Sequence, residues 1–466
     1  MKNRYKTVII GSGPAGLFCA YGLIKGGYDD VLLIDLGVSF EDKSCQLISE
    51  GFCEDCKTCS ILSGAGGSAF YNSGKLSLYP AGSNLSKILG SESKCIEIYD
   101  EVISIFNQYG INLMSDDIFD TFENLSKQAS SADIKLKYYQ SFPINKESFN
   151  VFFNRFFAKI QGNVDIEYDC VVEDIEANGN QYYTLKMNRG NGESLNTTTE
   201  NIVIAVGEAG ARWWKKIQKK MRVKHQKSSI DIGIRIEFSS DVLDRIWKMH
   251  KDVKLITCAP DGSELRTYCA IKNNRTVICN YGDYKVLDGI EFDESSSGGI
   301  TLFNRISYEN QECMIDYAFY ILEKVKKELD IPIYTSMGCF LKKDDNVVSD
   351  IIKTLHYSDE SNFEKILPKP ILDNLRFFIA KIDKIIPGIA ATNNVVYFPL
   401  IDKLWNPTDV DDKMRTNLRG LYVCGDATGH LRGIMQACVT GLLCADGLLS
   451  SQYYSNKEDT KWKQMK

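Results

Sequence analysis

The stretch from Lys6 to Asp35, KTVIIGSGPAGLFCAYGLIKGGYDDVLLID, constrains the fold of this chain more than any other. A short apolar run leads into a glycine-rich turn, a helical pattern follows, and a second apolar run ends in Asp35. A strand, a turn, a helix and a strand in this order within about 30 residues are the fingerprint of a βαβ unit that binds a dinucleotide. We therefore predict a parallel sheet that carries a dinucleotide site.

The residues of the turn each have a physical role in such a site. Gly11 permits the tight turn, Gly13 lets the backbone approach a pyrophosphate, and Gly16 lets the helix lie close to the sheet. The helix is predicted to begin near Pro14, where its free N–H groups and positive dipole end attract phosphate. Asp35 stands where a carboxylate accepts hydrogen bonds from a ribose 2′-OH, which favours FAD or NAD over NADP.

Composition and charge exclude several classes of partner. The chain has 466 residues, enough for two or three domains, and its net charge of -6 argues against a general nucleic-acid surface. The basic N-terminus imitates a signal peptide, but the residues from Gly11 to Pro14 interrupt its apolar core. No window approaches the roughly 18 uninterrupted apolar residues of a membrane span. We expect a cytoplasmic protein with neither a nucleic-acid nor a membrane partner.

One group among the fifteen cysteines stands out. Most of the cysteines are expected to be reduced, small core residues, since an intracellular chain of this length does not need disulfides. Cys53, Cys56 and Cys59 follow one another at C-x2-C-x2-C spacing after Cys45. Four thiolates would meet the ligand requirement of zinc or of an iron-sulfur cluster. A redox-active cysteine pair near the cofactor and a tight loop of free thiols remain as alternatives.

Later segments add to the predicted sheet and indicate a second domain. The run from Ile202 to Gly207 predicts a buried parallel strand that ends under a ligand. Ser63 to Leu78 is a second glycine-rich loop, which suits close backbone approach to a flat cofactor. Ser229 to Val286 alternates in short strand patterns, and a helical pattern from Gly433 to Leu449 marks the return of the first domain.

Three motifs together resemble the glutathione-reductase-like superfamily of two-domain flavoproteins. They are GSGPAG with Asp35, the strand end IVIAVG at the place of the superfamily's A-T-G, and T-x4-L-Y-V-C-G-D ending in Asp426. The resemblance implies that Asp426 contacts the ribitol of FAD. It also implies that a helix N-terminus at Gly433, Ile434 and Met435 faces N1 and the C2 carbonyl of the flavin, where it would stabilise the charge of the reduced form.

Within the superfamily the chain is most similar to a group of prokaryotic FAD-dependent dehydrogenases of largely unassigned substrate. The order of the cysteine cluster, the SGKL loop, DIGIRIE, RTYC and GDATGHLRGIMQA carries this similarity. The chain departs from the group at Ser73, where an acidic residue is common, and at Val206, which replaces the Thr of A-T-G. A second G-x-G-x-x-G for NAD(P)H and a C-x4-C pair in the first helix are both absent, so FAD is favoured and disulfide reductase activity is not.

The predicted fold is α/β, with a Rossmann-like FAD-binding domain and a strand-rich α+β substrate domain. The FAD-binding domain, a parallel sheet with its βαβ unit, is assembled from discontinuous segments. The predicted divisions are residues 1–80, 145–228 and 388–450 for the FAD-binding domain, 81–144 for a helical insertion, 229–387 for the substrate domain and 451–466 for a polar tail. The residues expected to contact FAD are Gly11, Gly13, Pro14, Ala15, Gly16, Asp35, Leu36, Gly67, Gly74, Lys75, Val172, Gly207, Gly425, Asp426, Arg432, Gly433, Ile434 and Met435.

The expected chemistry is hydride transfer between a small-molecule substrate and flavin N5, with an external electron acceptor or donor. His430 is the first candidate for proton transfer, because it lies between Asp426 and the following helix and its ordinary pKa suits the task. Tyr268 and Lys75 are further candidates. Two other functions stay open: a flavin monooxygenase that uses NAD(P)H and O2, and a non-catalytic redox sensor whose output is the cysteine cluster.

Overall fold

The computed structural model describes residues 1–50, 53–70, 75–113, 119–179, 182–281, 283–292, 295–307, 314–328, 331–343, 353–356 and 358–464. The strands in this part of the chain are β1 Arg4–Ile10, β2 Val31–Ile34, β3 Lys75–Ser77, β4 Lys135–Lys137, β5 Ser141–Pro143, β6 Asp165–Glu167, β7 Cys170–Asn178, β8 Tyr182–Arg189, β9 Ser194–Ile204, β10 Ile230–Ser239, β11 Lys254–Cys258, β12 Glu264–Ile271, β13 Asn274–Tyr281, β14 Tyr284–Glu291, β15 Ser297–Ile306, β16 Ile333–Ser336, β17 Asp359–Glu360, β18 Val395–Asp402 and β19 Leu421–Val423. The helices are α1 Pro14–Lys25, α2 Gln46–Ser49, α3 Asn84–Leu89, α4 Glu92–Gln108, α5 Phe119–Ser131, α6 Lys146–Gln161, α7 Ala211–Met221, α8 Asp244–Trp247, α9 Ile315–Glu328, α10 Met337–Phe340, α11 Lys369–Ile382 and α12 Ile434–Gln464.

The first sheet is built on the predicted βαβ unit. Its strand order is β6-β2-β1-β9-β8-β7, and β19 also pairs with β9. β1 runs parallel to β2 on one side and to β9 on the other, as the sequence predicts for the strand that ends near Gly207. The fully buried pattern of β2, VLLI, is typical of a strand in a parallel sheet covered on both faces. The carboxyl ends of β1, β2 and β9 therefore meet at one edge.

The second sheet has eight strands, in the order β17-β16-β18-β10-β15-β12-β11-β4. Its centre is antiparallel, with β10 between β15 and β18. β13 and β14 form a separate hairpin, and β3 pairs with β5. The chain is thus a mixed α/β protein with one largely parallel sheet and one strand-rich antiparallel sheet.

The second sheet does not follow the predicted divisions. β18 falls within residues 388–450, which we assigned to the first domain, yet it pairs with β10. β4 falls within the predicted helical insertion 81–144, yet it pairs with β11. β4 has only three residues and β18 is a mostly apolar run, and a local pattern of either kind does not determine which sheet a strand joins. The predicted polar tail, 451–466, continues α12 as far as Gln464.

The last helix packs closely against the first. A Cβ on Gly441 would lie 2.2 Å from the Ala15 carbonyl oxygen, and one on Gly22 would lie 2.6 Å from the Cβ of Ala445. The segment Ile434–Ser451 is long and apolar enough to cross a membrane by length and composition, although polar residues interrupt its apolar run. However, 72% of the segment is buried inside the protein. Burial against α1 is an ordinary cause of such a composition.

Candidate cofactor and substrate site

A cavity of about 370 Å³ opens where the parallel strands of the first sheet end. We call it the main cavity. Ile10, Ile34 and Ala205, which stand at or just beyond the carboxyl ends of β1, β2 and β9, line its wall. In open α/β sheets this crevice outside the carboxyl ends of the strands is the usual place for a ligand.

The glycine turn forms one end of the main cavity. Gly11 has a φ of +109°, and a Cβ there would lie 2.3 Å from the Ala205 carbonyl oxygen. A Cβ on Gly16 would lie 1.9 Å from the carbonyl oxygen of Gly11, so α1 can approach the turn only because Gly16 has no side chain. Gly13 and Pro14, at the start of α1, line the cavity. Free N–H groups of a helix N-terminus therefore border this end.

Asp35 lies beside the turn and is almost fully engaged by the protein. Its Oδ2 accepts hydrogen bonds from the Ser12 amide (2.7 Å) and the Ser12 hydroxyl (2.8 Å). Its Oδ1 accepts hydrogen bonds from the amides of Gly37 and Gly64, both at 2.8 Å. These four donors match the four lone-pair sites of a carboxylate. Asp35 lines the cavity, but its carboxylate is used to hold three loop segments together and has no lone pair left for a ribose hydroxyl.

The other predicted cofactor residues divide into those that line the main cavity and those that do not. Those that line it are Gly11, Gly13, Pro14, Ala15, Asp35, Leu36, Gly67, Val172, Gly207, Gly425, Asp426, Arg432, Gly433 and Ile434. Gly16 and Met435 are absent from the wall: Gly16 packs on the turn, and Met435 is fully buried in the core. Lys75 lines a neighbouring cavity instead, and Gly74 lies outside the described residues.

A second part of the main cavity, which we call the far end and define by Glu208, Asp426 and Arg432, presents a carboxylate that has no hydrogen-bond partner among the described residues. Among the described residues no donor contacts the side chain of Asp426, which lines the wall. Burial raises its pKa to about 6, and the nearby Arg432 opposes the shift. Gly433 and Ile434, at the start of α12, line the same end. A second helix N-terminus thus borders the cavity, where it favours negative charge on a ligand.

Glu208, which sequence reasoning missed, lies among charged groups at this end. Its Oε1 is 2.7 Å from Nη1 of Arg432, and its other oxygen accepts a hydrogen bond from the Tyr281 hydroxyl. Arg432 also pairs with Asp402, so the carboxyls of Glu208, Asp402 and Asp426 surround one guanidinium. Burial, together with Asp402 and Asp426, raises the pKa of Glu208 to about 8 against the opposing effect of Arg432. Glu208 is therefore placed to hold or release a proton near neutral pH.

A second cavity, of about 170 Å³, adjoins the main cavity. We call it the lysine cavity, because Lys75, Lys137 and Lys254 line it. The wall between the two consists of residues that line both, namely Tyr268, Cys269, Arg432, Gly433 and Ile434.

Tyr268 occupies the junction of the two cavities. The Arg432 guanidinium lies 5.0 Å and the Lys254 ammonium 5.4 Å from the centre of its ring. Burial raises the pKa of the Tyr268 hydroxyl well above its ordinary value, so the phenol stays protonated. That hydroxyl finds no hydrogen-bond partner among the described residues, which leaves it available to a ligand.

The structure does not place His430 in either cavity. Its Nε2 lies 2.9 Å from the carbonyl oxygen of Thr408, and the side-chain amide of Asn84 donates a hydrogen bond to the backbone carbonyl of His430. Burial lowers the pKa of the ring below its ordinary value. His430 thus ties the loop after β19 to the segment around Thr408, and its role in proton transfer stays a prediction. The position of His430 in the sequence, between Asp426 and α12, does not determine the direction in which its ring points.

The predicted metal site at Cys45, Cys53, Cys56 and Cys59 is not formed. Among the described residues no three His, Cys, Asp or Glu side chains are grouped so as to hold a metal ion. Cys56 is exposed, whereas the other three are half-buried, and Asn280 donates to the Cys53 sulfur at 3.8 Å. Burial raises the pKa of Cys45 and Cys53, which disfavours the thiolate that a metal requires.

The residues near the junction of the cavities that sequence reasoning missed differ in whether they left a signal in the sequence. Glu208 directly follows the predicted strand end at Gly207, and a charged residue in that position was a usable signal. No local motif connects the others. Asp402, Lys137 and Lys254 lie on strands of the second sheet, and Asp252 lies just before β11.

Comparisons with known proteins add little. No protein-family model and no curated protein matches the sequence. The similar solved structures include a flavoprotein/dehydrogenase from Cytophaga hutchinsonii, at TM-score 0.39 and 11% identity over 97% of this chain and 79% of that one. They also include a pyridoxine 4-oxidase from Mesorbium loti, at TM-score 0.44 and 12% identity over 97% of this chain and 99% of that one. At these TM-scores the likeness is too slight to assign a family or a function.

Proposed function

We propose that the protein is an FAD-dependent oxidoreductase, a dehydrogenase or an oxidase, that transfers a hydride between a small-molecule substrate and N5 of the flavin. The observation that carries this proposal is that the glycine turn, Asp426 and the N-terminus of α12 line one continuous cavity, although they are hundreds of residues apart in sequence. External electron acceptors or donors, and location in the cytoplasm, belong to the same proposal.

The lining residues fit FAD by their chemistry. The N-terminus of α1 and the bare backbone at Gly13 suit a pyrophosphate. The unpartnered carboxylate of Asp426 is an acceptor for a ligand hydroxyl. The N-terminus of α12 suits a group that gains negative charge on reduction. When bound, FAD would supply a hydride acceptor or donor at N5.

Glu208 is the best candidate for the proton that accompanies hydride transfer. The most effective general acids and bases have a pKa near the working pH, and the Glu208 carboxyl, with a pKa of about 8, meets this condition. The Tyr281 hydroxyl and Arg432 hold both of its oxygens, so its orientation is fixed. Glu208 lines the main cavity near Arg432 and Asp426, and it would accept a proton from an X–H bond of the substrate or return one to it.

The lysine cavity is the proposed place of the substrate, because only residues that also line the main cavity separate the two spaces. Tyr268, whose phenol stays protonated, would donate a hydrogen bond across the junction. Lys75, which pairs with Asp252 at 3.9 Å, would help to position the substrate. At about 170 Å³ the space is smaller than the roughly 300–1,000 Å³ of typical drug-sized ligand sites, so the substrate should be small.

The proposal can be tested on the purified protein. Its absorption spectrum should show flavin, and the cofactor released by heat should be FAD rather than FMN, because the glycine turn and the N-terminus of α1 suit the pyrophosphate that FAD has and FMN lacks. Anaerobic addition of candidate reductants should then bleach the flavin. Protein that neither contains FAD nor takes it up when FAD is added would refute the proposal. Reduction by NADH only when a substrate is present, with an oxygenated product, would instead favour the monooxygenase alternative.

A further inference from the structure

We infer that the lysine cavity recognises an anionic group of the substrate, a carboxylate or a phosphate, through Lys137 and Lys254. The inference rests on the proposed function, because it treats the lysine cavity as the place where the substrate meets the cofactor.

The ammonium groups of Lys137 and Lys254 converge on the cavity from neighbouring strands. Lys137 lies on β4 and Lys254 on β11, and these two residues are directly opposite each other in the antiparallel pair. Like charges at opposed positions of a strand pair are destabilising, so this arrangement has a cost in stability. Proteins retain such costly arrangements most often at functional sites.

Neither ammonium group forms an ion pair with a described residue. Lys137 donates to the Ser83 hydroxyl at 3.0 Å, and Lys254 lies over the ring of Tyr268. Two carboxylates line the lysine cavity, Asp252 and Glu291. Asp252 accepts a hydrogen bond from the Tyr139 hydroxyl at 2.6 Å and faces Lys75, and among the described residues Glu291 forms no ion pair with Lys137 or Lys254.

The electrostatics of Lys254 favour a bound anion. Burial, with repulsion from Arg266, lowers the pKa of Lys254 to about 8, although Asp252 and Asp402 act in the opposite direction. Burial also lowers the pKa of Lys137, and the charges of Lys135 and Lys87 add to the effect. A bound anion would restore the ordinary pKa of both groups and remove the cost of holding them together.

A second, independent feature favours an anion in the same space. Gly433 and Ile434, at the beginning of the long helix α12, line the lysine cavity as well as the main cavity. The positive end of the helix dipole therefore adds to the field of the lysines. Arg432 is already paired with Glu208 and Asp402, so it adds no free charge. The charges that form no ion pair with a described residue are on the side of the cavity formed by β4 and β11.

Three ligands that share an ethyl group and differ in the head group test the inference. Flavin-loaded protein is titrated with propionate, with ethylphosphonate and with the neutral propionamide, and binding is followed by ligand-observed NMR. We expect both anions to bind and propionamide to bind at least about tenfold more weakly, since a hydrogen bond to a charged group is worth that factor or more. The stronger of the two anions identifies the head group. Equal binding of propionate, ethylphosphonate and propionamide would overturn the inference.

Matched variants locate the site. Lys137→Met and Lys254→Met should each weaken binding of the preferred anion by about tenfold, whereas Lys137→Arg should retain most of it. Lys248→Met removes a charge from an exposed position nearby that lines neither cavity, and it should leave the affinity unchanged. The melting temperature of Lys254→Met should not fall, because the variant relieves a buried charge. Unchanged affinity in both Met variants would overturn the inference.

The same samples separate failure of the inference from failure of the proposed function. Protein that carries FAD yet does not distinguish propionate from propionamide refutes the anion site and leaves the flavin proposal intact. Protein that neither carries nor takes up FAD refutes the flavin proposal whatever the anions do, and NMR titration of that protein still measures anion binding by itself.

Discussion

The two ends of the main cavity are built in different ways. At the end formed by the glycine turn, which we call the nucleotide end, residues close together in sequence present backbone groups, and the requirement is for glycine, as at Gly11 and Gly16. At the far end, side chains from distant parts of the chain, Glu208, Asp402 and Arg432, meet in one charged cluster. Backbone sites leave a local pattern in the sequence, whereas a cluster of side chains exists only after folding. Under the proposed function the nucleotide end would bind the cofactor, and the far end would carry the chemistry.

The largest expected effect comes from the far end. Glu208→Gln keeps the size of the side chain but removes the proton acceptor, so the rate of flavin reduction by substrate should fall by about 10²–10⁴-fold. Anaerobic stopped-flow reduction measures this rate, with bound FAD determined in parallel. Glu193→Gln, in an exposed hairpin, is the control with the same chemical change. If the Glu208→Gln protein binds FAD and reacts at the normal rate, Glu208 does not accept or donate the proton in the reaction.

At the nucleotide end the corresponding change is Gly16→Ala. A Cβ there would lie 1.9 Å from the carbonyl oxygen of Gly11, so helix and turn must separate. Overpacking of this kind costs about 1–3 kcal/mol or more, which exceeds the roughly 1 kcal/mol that alanine gains over glycine in a helix. We expect a lower melting temperature and loss of FAD. Gly162→Ala, where nothing lies within 4 Å of the added Cβ, should be neutral. Equal behaviour of the two variants would contradict the close packing.

Two carboxylates in the main cavity compare the ends directly. Asp35→Asn places an NH2 group against at least one backbone N–H group, because the Ser12 amide faces Oδ2 and the amides of Gly37 and Gly64 face Oδ1. The variant should therefore cost about 2 kcal/mol of stability even without FAD. Asp426→Asn breaks no bond to a described residue and should leave the stability of the apoprotein unchanged or slightly higher, while FAD binds several-fold more weakly. Thermal melting and FAD titration of both variants separate the effects. The reverse result would assign the structural role to Asp426 and the ligand role to Asp35.

The sequence predicts local features of the fold and misses features that depend on contacts between distant segments, which is the same difference as between the two ends of the main cavity. The unit β1-α1-β2 and the approach of β9 are local, periodic and rich in glycine, and the sequence predicts them with nearly correct boundaries. The membership of β18 and β4 in the second sheet depends on strand pairing over long sequence distances, which no local pattern records. For the same reason the charged cluster around Arg432 could not be predicted.

A smaller effect concerns pH and again involves Glu208. Its pKa is about 8 in the folded protein against an ordinary value of 4.5, so between these values the folded state holds a proton that the unfolded state has lost. Stability from this group is therefore lost as the pH rises through that window. Lys254 and Lys43, with pKa values lowered to about 8 and about 7, act in the opposite direction above those values.

Only a comparison of variants isolates the contribution of Glu208. Between about pH 6.5 and 8.5 the wild type should lose about 1–2 kcal/mol more stability than Glu208→Gln, because both proteins share the same lysines. Denaturant unfolding at the two pH values measures the difference. Parallel pH dependence in the two proteins would show that Glu208 titrates normally and that the charged cluster does not hold its proton.

The smallest expected effect concerns His430. If the ring only bonds the Thr408 carbonyl, His430→Ala should cost about 1 kcal/mol of stability and leave the rate of flavin reduction and its pH profile unchanged. His225→Ala, at an exposed position, serves as the control and should change neither property. A hundredfold slower reduction in a folded, FAD-loaded His430→Ala protein would place a catalytic group in the loop after β19, close in sequence to Asp426. The contrast between a nucleotide end that local sequence predicts and a far end that it does not predict would then fail, because local sequence would have located the catalytic group too.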